Sequence, residues 1–483
     1  MTSTSQNLTL CFARGSSQPI IATSTKPTHI PENHILICVD RFGLSANNIT
    51  YQALGEHPHF RYFDFHPAPN EGGISPKTHG VVPVWGFGTV VASSHPKVLV
   101  GERLYGYLAP TRYLLVEIDP KDANKHAIYV PRSHFPPDRR PYNQILRCST
   151  DPAYTQDTED LIMLYRPLFW TSFWCEDWLH SSGYQTDCSS ILISSASSKT
   201  AFCFAYCVSK RYTNPSKSSS STGNKVKPKL IGITSSKNLS FTKQLGLYDE
   251  VYTYDEFTSV PALQGSRVDP KKTKWIYVDV AGNDKLNESV YKHFESPYTG
   301  KLVLSVSLGM TTLTPASMGA AVAETMGAES GHGAGAGASS AKGLVVSNSG
   351  TYMNSPSQNA AASGVSTATT GSTEEIYPKI EKFFTPEWLE IRRKQIPVQE
   401  IFEMQKKAWT ELMRDCRAWV RTERVYNGVG GTGHGERVKE EYEKIEKEGM
   451  KPDMGMIWSM WGGEGEAERV CVEAGGVGTK AKL

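Results

Sequence analysis

Apolar residues along this chain fall into two rhythms. Between residues 34 and 130 they come in short runs, "HILICVDRFGL", "VVPVWGFGTVVASS", "GERLYGYLA" and "TRYLLVEI", broken by Gly and Pro. Short runs rich in Val, Tyr and Leu and punctuated by turn formers predict the β-strands of a small barrel or sandwich. From residue 161 the rhythm changes. "LIMLYRPLFWTSFWCEDWLH" predicts a helix, strand 191–194 leads into helix 201–210, and strand 229–235 leads into a helix from Asn238. A short strand from Glu250, strand 275–282, helix 284–294 and strand 301–309 complete the series. Strands alternating with helices at this spacing predict a doubly wound parallel sheet. Helices within 396–422 and 436–448 precede "MGMIWSMW", which reads as a last strand.

Three stretches fit neither rhythm. Residues 213–229 are Ser/Lys-rich, 318–372 are Gly/Ala/Ser/Thr-rich, and the tail after Trp461 is Gly-rich and charged. Such compositions bury too little apolar surface to offset chain entropy, so disorder is expected in all three. The remainder belongs to a globular class: the 483 residues are 39% apolar and 21% charged, enough for two or three domains. A net charge of +2 provides no basic field for nucleic acid. No apolar run reaches membrane-spanning length, and the opening "MTSTSQNLTLCFARGSS" lacks a secretory signal pattern. Nine cysteines are scattered without a C-x-x-C pair, so reduced thiols in a cytoplasmic protein are expected. Cys203 and Cys207, one helical turn apart, read as small core residues. The histidines at 57, 59, 66 and 79 sit in a Pro-rich loop and read as surface residues, with no metal site expected.

The sharpest chemical signal is "ILISSASSKTAFCFAY" (191–206). An apolar strand, a small-residue loop and a helix apolar all round would place backbone N–H groups and a positive helix end against a phosphate. Two phosphates compete for it. Lys199-Thr200 and the acid Asp279 after "WIYV" fit a nucleoside-triphosphate loop, but Ile193 and Ser198 stand where its glycines belong. A dinucleotide loop would run from Ser195 to Thr200 with small residues in place of its glycines, and an ordinary strand–helix turn is the third reading.

The order of segments resembles the medium-chain dehydrogenase/reductase superfamily in its zinc-free, quinone-reductase-like branch. "VPVWGFGTVVAS" and "VGERLYGY" are similar to its Pro-Gly-x-Glu-x-x-Gly-x-Val and Gly-Asp-Arg-Val stretches, and "VDVAGND" to the Asp-x-x-Gly closing its fourth strand. "DRFGLSANNITY", "VPVWGFGTV" and "SSASSKTA" more narrowly resemble the family DUF2855. The resemblance implies an α/β fold, with a GroES-like β-barrel domain over 1–150 and a Rossmann-like doubly wound parallel sheet domain over 151–317. An insertion at 318–372, the end of the cofactor domain at 373–395, and a return to the first domain at 396–461 would follow. Where zinc-dependent relatives carry Gly-His-Glu, this chain reads Trp85-Gly86-Phe87. Tyr62, Tyr105 and Trp85 read as core aromatics.

On this reading the cofactor is NADPH (NADP), because Thr234, Ser235, Ser236, Lys237 and Asn238 end the second strand with no acid to hold a ribose 2′-OH. Ser195, Ser197, Ser198, Lys199 and Thr200 would surround the pyrophosphate. Val306, Ser307 and Leu308 would lie near the nicotinamide. Asn47, Asn48 and Tyr51 are the substrate-pocket candidates, with Asn47-Asn48 equally readable as turn residues that tie down their loop. The implied activity is reduction of a quinone, enone or related carbonyl by hydride transfer without zinc. A binding protein that keeps the fold without turnover is the alternative. The resemblance leaves a homodimer paired through edge strands open, since the insertion at 318–372 either hangs off that edge or blocks it.

Overall fold

The computed structural model describes residues 6–16, 18–185, 188–213, 227–260, 273–308, 378–428, 436–463, 465–467 and 469–470. Most of 213–229, all of 318–372 and most of the tail after Trp461 lie outside them. The chain divides into two compact units, one built from residues up to 167 and from 399 onward, the other from 168 to 398.

The first unit opens with β1 (Gln6–Ala13) and β2 (Pro19–Thr25), two strands the hydropathy pattern did not announce. They form a three-stranded sheet with β4 (His79–Gly80). The larger sheet starts with β3 (His34–Leu44), followed by helix α1 (Ala46–Ala53) where a pocket loop was expected. Then come β5 (Val84–Ser93), β6 (Arg103–Leu108), β7 (Tyr113–Glu117), β8 (Ala127–Tyr129) and β9 (Gln144–Arg147). β3 pairs with β5 and, through His34–Cys38, with β7. Register shifts at Leu36/Ile37 and Val39/Arg41 raise its local twist, which helps one strand serve several partners.

Helix α2 (Glu159–Ser181) begins in this unit and continues in the other. The second unit then alternates: β10 (Ser190–Ile193), α3 (Lys199–Thr213), β11 (Lys229–Thr234), α4 (Leu239–Gln244), β12 (Glu250–Thr253), β13 (Lys274–Asp279), α5 (Asp284–Phe294), β14 (Lys301–Ser307) and β15 (Lys379–Lys382). Helix α6 (Thr385–Gln395) follows. All six strands are parallel, ordered β12-β11-β10-β13-β14-β15. In order of appearance that is third, second, first, fourth, fifth, sixth, the order of dinucleotide-binding sheets. Every residue of β10 is buried, as a strand covered on both faces requires. Ala201 to Val208 of α3 are buried without a break, Cys203 and Cys207 among them. The fold class expected from the sequence, a GroES-like β domain with a Rossmann-like parallel sheet, is the one observed.

The chain then supplies α7 (Val398–Asp415), β16 (Arg421–Tyr426), α8 (Glu436–Glu448) and β17 (Met454–Ser459). β17 pairs antiparallel with β3, Met456 opposite Leu44, and β16 lies on its other side. Trp458 and Trp461 are fully buried, and the Trp461 indole donates to the Val39 carbonyl at 2.8 Å.

A buried ion cluster joins β3, β6 and the start of α2. Arg103 lies between two carboxylates, donating to Asp40 Oδ1 and Oδ2 at 2.6 and 2.9 Å and to Glu159 Oε1 through Nε at 2.9 Å. Glu159, only 1% exposed, also accepts from Arg41 at 2.6 Å and from the Tyr154 hydroxyl at 2.8 Å. Burial would raise the Glu159 carboxyl, but Arg103, Tyr154 and Arg41 outweigh it and hold it below the usual glutamate range. Burial dominates at Asp40 and pushes it up.

Two expectations need correction. Seven of the cysteines are buried thiols outside any disulfide, but Cys38 is disulfide-bonded, so the reading of uniformly reduced thiols does not hold there. His66 is a core residue rather than a surface one: it is 4% exposed and its Nε2–H donates to the Tyr107 carbonyl at 2.9 Å. No helix among the described residues is long and apolar enough to cross a membrane.

Candidate functional site

The loop after β10 keeps the shape of a glycine loop without its glycines. Ser195 adopts the left-handed conformation, φ +51°, which residues other than Gly, Asn and Asp rarely take. The Ser198 N–H donates to the Ser195 carbonyl at 2.8 Å, closing a tight turn, and Ser198 Oγ accepts from the Ala201 N–H at 3.3 Å to cap α3. The loop is pinned from below: the Ala196 N–H donates to the Ile233 carbonyl and the Tyr248 hydroxyl donates to the Ala196 carbonyl at 2.8 Å. Gly232 permits this approach, since a Cβ there would lie 2.8 Å from Ala196 Cβ. Because the left-handed cost rises with β-branching, Ser195→Val should be about 1–2 kcal/mol less stable than Ser195→Asn, read from paired urea denaturation curves.

The five loop residues play different parts. Ser197 Oγ accepts from Thr234 Oγ1 at 3.2 Å and Asn238 Nδ2 at 3.0 Å, so its hydroxyl ties the loop to the end of β11. Ser198 caps the helix, while Lys199 and Thr200 are its first residues, both half-buried. The positive end of α3 and the Lys199 ammonium give the turn a potential suited to an anion. Ser194, one residue earlier, donates to Asp279 Oδ1 at 3.0 Å. The other Asp279 oxygen accepts from Asn287 at 2.8 Å, and the Gly282 N–H also donates to Oδ1 at 2.9 Å. Asp279, 4% exposed, thus closes the turn after β13, the role implied by its Asp-x-x-Gly setting.

At the end of β11, Thr234 is buried, Ser235 is half-buried, and Ser236 and Lys237 are exposed on a short 3-10 turn. No acid occupies this edge between Thr234 and Asn238. At the end of β14, Val306 is buried, the Ser307 carbonyl accepts from Phe383 N–H, and the Leu308 N–H donates to the Asp279 carbonyl at 2.9 Å.

In the first unit, Asn48 is occupied by its own fold. It is 4% exposed, its Oδ1 accepts from the Ser45 N–H at 2.9 Å in a capping box, and its amide donates to the Pro83 carbonyl at 3.3 Å. Asn47 and Tyr51 are half-buried and hydrogen-bonded to each other. Tyr51 stacks on Tyr62 with ring centroids 4.3 Å apart. Beyond it lies an aromatic cluster of which the sequence pointed to Tyr62, Tyr105 and Trp85 but not to Phe65, Tyr107 or Tyr142. Register explains it: Trp85 faces Tyr107 and Phe87 faces Tyr105 across β5 and β6, with Gly86 opposite Gly106 between them. The alternation in "VWGF" and "LYGY" carried that signal. Phe65 and Tyr142 complete the cluster, 5.3 and 5.0 Å from the Tyr107 ring. Among the described residues no group of three or more His, Cys, Asp or Glu side chains is placed to hold a metal ion.

No curated protein matches this sequence. Among solved structures, it is similar to the yhdH oxidoreductase from Salmonella enterica in complex with NADP, at 11% identity and TM-score 0.45, over 94% of this chain and 99% of that one. CurA from Vibrio vulnificus is similar at 11% identity and TM-score 0.48, over 94% and 98%. The quinone oxidoreductase from Coxiella burnetii is similar at 11% identity and TM-score 0.43, over 94% and 99%. The family model described as "Protein of unknown function (DUF2855)" matches residues 42–451, and the chain belongs to that family.

Proposed function

We propose that this protein is an NADPH-dependent oxidoreductase that reduces a quinone, an enone or a related conjugated carbonyl without zinc. The observation that carries the reading is the left-handed Ser195 turn, set between β10 and α3 of a sheet in dinucleotide-binding order. The residues present fit the cofactor. The positive end of α3, with Lys199, would hold the pyrophosphate, Ser235, Ser236 and Lys237 the 2′-phosphate, and Val306, Ser307 and Leu308 the nicotinamide. Bound there, NADPH supplies the hydride. The protein's own contribution is to polarise the acceptor oxygen, and Tyr51, oriented by Asn47, is the phenol assigned to that work. Asn48 is left out, because its amide is committed to the capping box and the Pro83 carbonyl.

Thermal-shift titration of the purified protein with NADPH, NADH and ATP–Mg²⁺ tests the reading. NADPH should stabilise, and ATP–Mg²⁺ should not; the reverse would restore the triphosphate loop. Lys237→Ala should weaken NADPH about tenfold while leaving NADH nearly unchanged, and equal losses for both would overturn the 2′-phosphate assignment. Oxidation of NADPH across a panel of quinones and enones is the test of turnover.

A further inference from the structure

In the aromatic cluster around Tyr107, the Tyr107 hydroxyl and the Arg132 guanidinium each keep a donor for which the described residues supply no acceptor. Tyr107 is 1% exposed, and its hydroxyl has no hydrogen-bond partner among the described residues. Its ring lies 4.9 Å from Trp85, 5.0 Å from Tyr142 and 6.3 Å from Tyr51. The second group is Arg132, 6% exposed and stacked 5.2 Å over Phe65. Its Nε donates to the Phe65 carbonyl at 2.9 Å and its Nη1 to Asn143 Oδ1 at 3.0 Å. Its Nη2 faces only His66 Nε2, at 3.4 Å. That ring nitrogen already donates to the Tyr107 carbonyl, and a nitrogen carrying a proton cannot accept another. Among the described residues Nη2 therefore lacks an acceptor.

Among the described residues no carboxylate pairs with Arg132. Burial lowers its pKa to about 10, and its charge is close enough to Tyr107 to interact with it. An uncompensated buried cation beside a donor without an acceptor is costly to keep. A negatively charged oxygen is the kind of acceptor that both groups lack. The cluster meets the surface through Tyr51, Trp85 and Tyr142, each half-buried, and those flat rings suit a planar guest.

We propose that this cluster binds a planar conjugated molecule through an oxygen that carries or develops negative charge, with Tyr107 donating to that oxygen and Arg132 supplying the countercharge. The substrate class is then a phenol-like or enolisable carbonyl compound. When hydride adds to the β-carbon of an enone, the alkene electron pair shifts, the carbonyl oxygen takes the charge as an enolate, and a solvent proton restores the α-carbon. Tyr107 and Arg132 hold that enolate oxygen together with the Tyr51 phenol, whose ring lies 6.3 Å from that of Tyr107. The substrate assignment rests on the reductase reading, whereas binding of an oxyanion is tested without it.

4-Nitrophenol is the probe, because its phenolate absorbs separately from its phenol, and 4-nitroanisole is the neutral match in shape. Without nucleotide, the full-length protein should bind nitrophenol saturably as the phenolate at a pH where free nitrophenol is partly protonated. Nitroanisole should compete poorly. Tyr107→Phe should weaken nitrophenolate about tenfold or more, yet melt at the same or a higher temperature, since it removes a hydroxyl the fold does not satisfy. Arg132→Lys, which keeps the charge but loses the fork, should weaken binding less than Tyr107→Phe. Equal binding of nitroanisole, unchanged binding by Tyr107→Phe, or a lower melting temperature for that variant would each overturn the proposal. The two readings fail separately. A thermal shift with NADPH but no nitrophenolate binding removes this proposal alone, and nitrophenolate binding with no NADPH shift removes the reductase reading alone.

Discussion

Exchanging Glu159 for Gln is expected to destabilise the first unit by about 3–5 kcal/mol, lowering its melting temperature by about 6–20 °C. The reason is charge balance around two buried carboxylates, Asp40 and Glu159, whose arginine partners are only partly exposed. Asp40 and Glu159 together neutralise Arg41 and Arg103, and the Arg103 guanidinium donates to both acids at once. Glutamine keeps the shape of Glu159 but leaves an excess positive charge buried among β3, β6 and the start of α2. It also withdraws a negative group from the first turn of that helix. Asp157→Asn is the control, because the Arg417–Asp157 pair is more than half exposed on both sides and should leave the melting temperature unchanged. Differential scanning calorimetry of both variants checks the pair. A Glu159→Gln protein that melts with the wild type would show that the cluster's desolvation cost cancels its attraction.

Acid should weaken the same unit through His66, with a sign and a window of its own. Burial, and then the Arg132 charge, lower the folded His66 pKa to about 3, against 6.5 when unfolded. Between those values the unfolded chain binds a proton that the folded chain refuses, so stability is complete above pH 6.5 and falls as pH drops toward 3. The slope is about 1.4 kcal/mol per pH unit. His66→Gln, which keeps a donor for the Tyr107 carbonyl without titrating, should flatten the loss between pH 6.5 and 4.5 by about 2–3 kcal/mol. Urea midpoints of the two proteins across that range give the difference directly. Glu159 acts in a lower window: its depressed carboxyl stabilises above the unfolded glutamate pKa, and that stability goes only as pH falls through its folded value.

The parts of the fold legible in the sequence are those whose causes are local. β10, β11 and β13 read clearly because strands covered on both faces must be apolar without interruption, and α5 read residue for residue because its own pattern sets it. β15, "KIEK", and most of β16, "RTERVY", are exposed; edge strands need no apolar code, so pattern reading passes over them. Helix α1 hid behind Asn47-Asn48, which look like turn formers until Asn48 is seen capping the helix. At the candidate site, the small-residue loop was legible and its left-handed Ser195 was not, since nothing in a serine announces its φ. The buried polar groups were the least legible. Arg103 meets Glu159 across 56 positions and Arg132 meets Phe65 across 67. His66, beside prolines, read as surface because its partner is a backbone carbonyl, which leaves no trace in side-chain pattern.

The pairing of β17 with β3 has a consequence for synthesis. Leu44 leaves the ribosome long before its partner Met456, and at 5–20 residues per second the interval is about 20–80 s. Throughout that time β3, the strand on which β5 and β7 assemble, lacks its last neighbour, and the places of Trp458 and Trp461 stand open. The parallel-sheet unit, encoded wholly between, has every strand it needs before the first unit does. The nascent chain therefore carries a finished middle and an unfinished beginning, and the exposed edge of β3 is the surface on which a chaperone, or an unwanted strand from another chain, would act first.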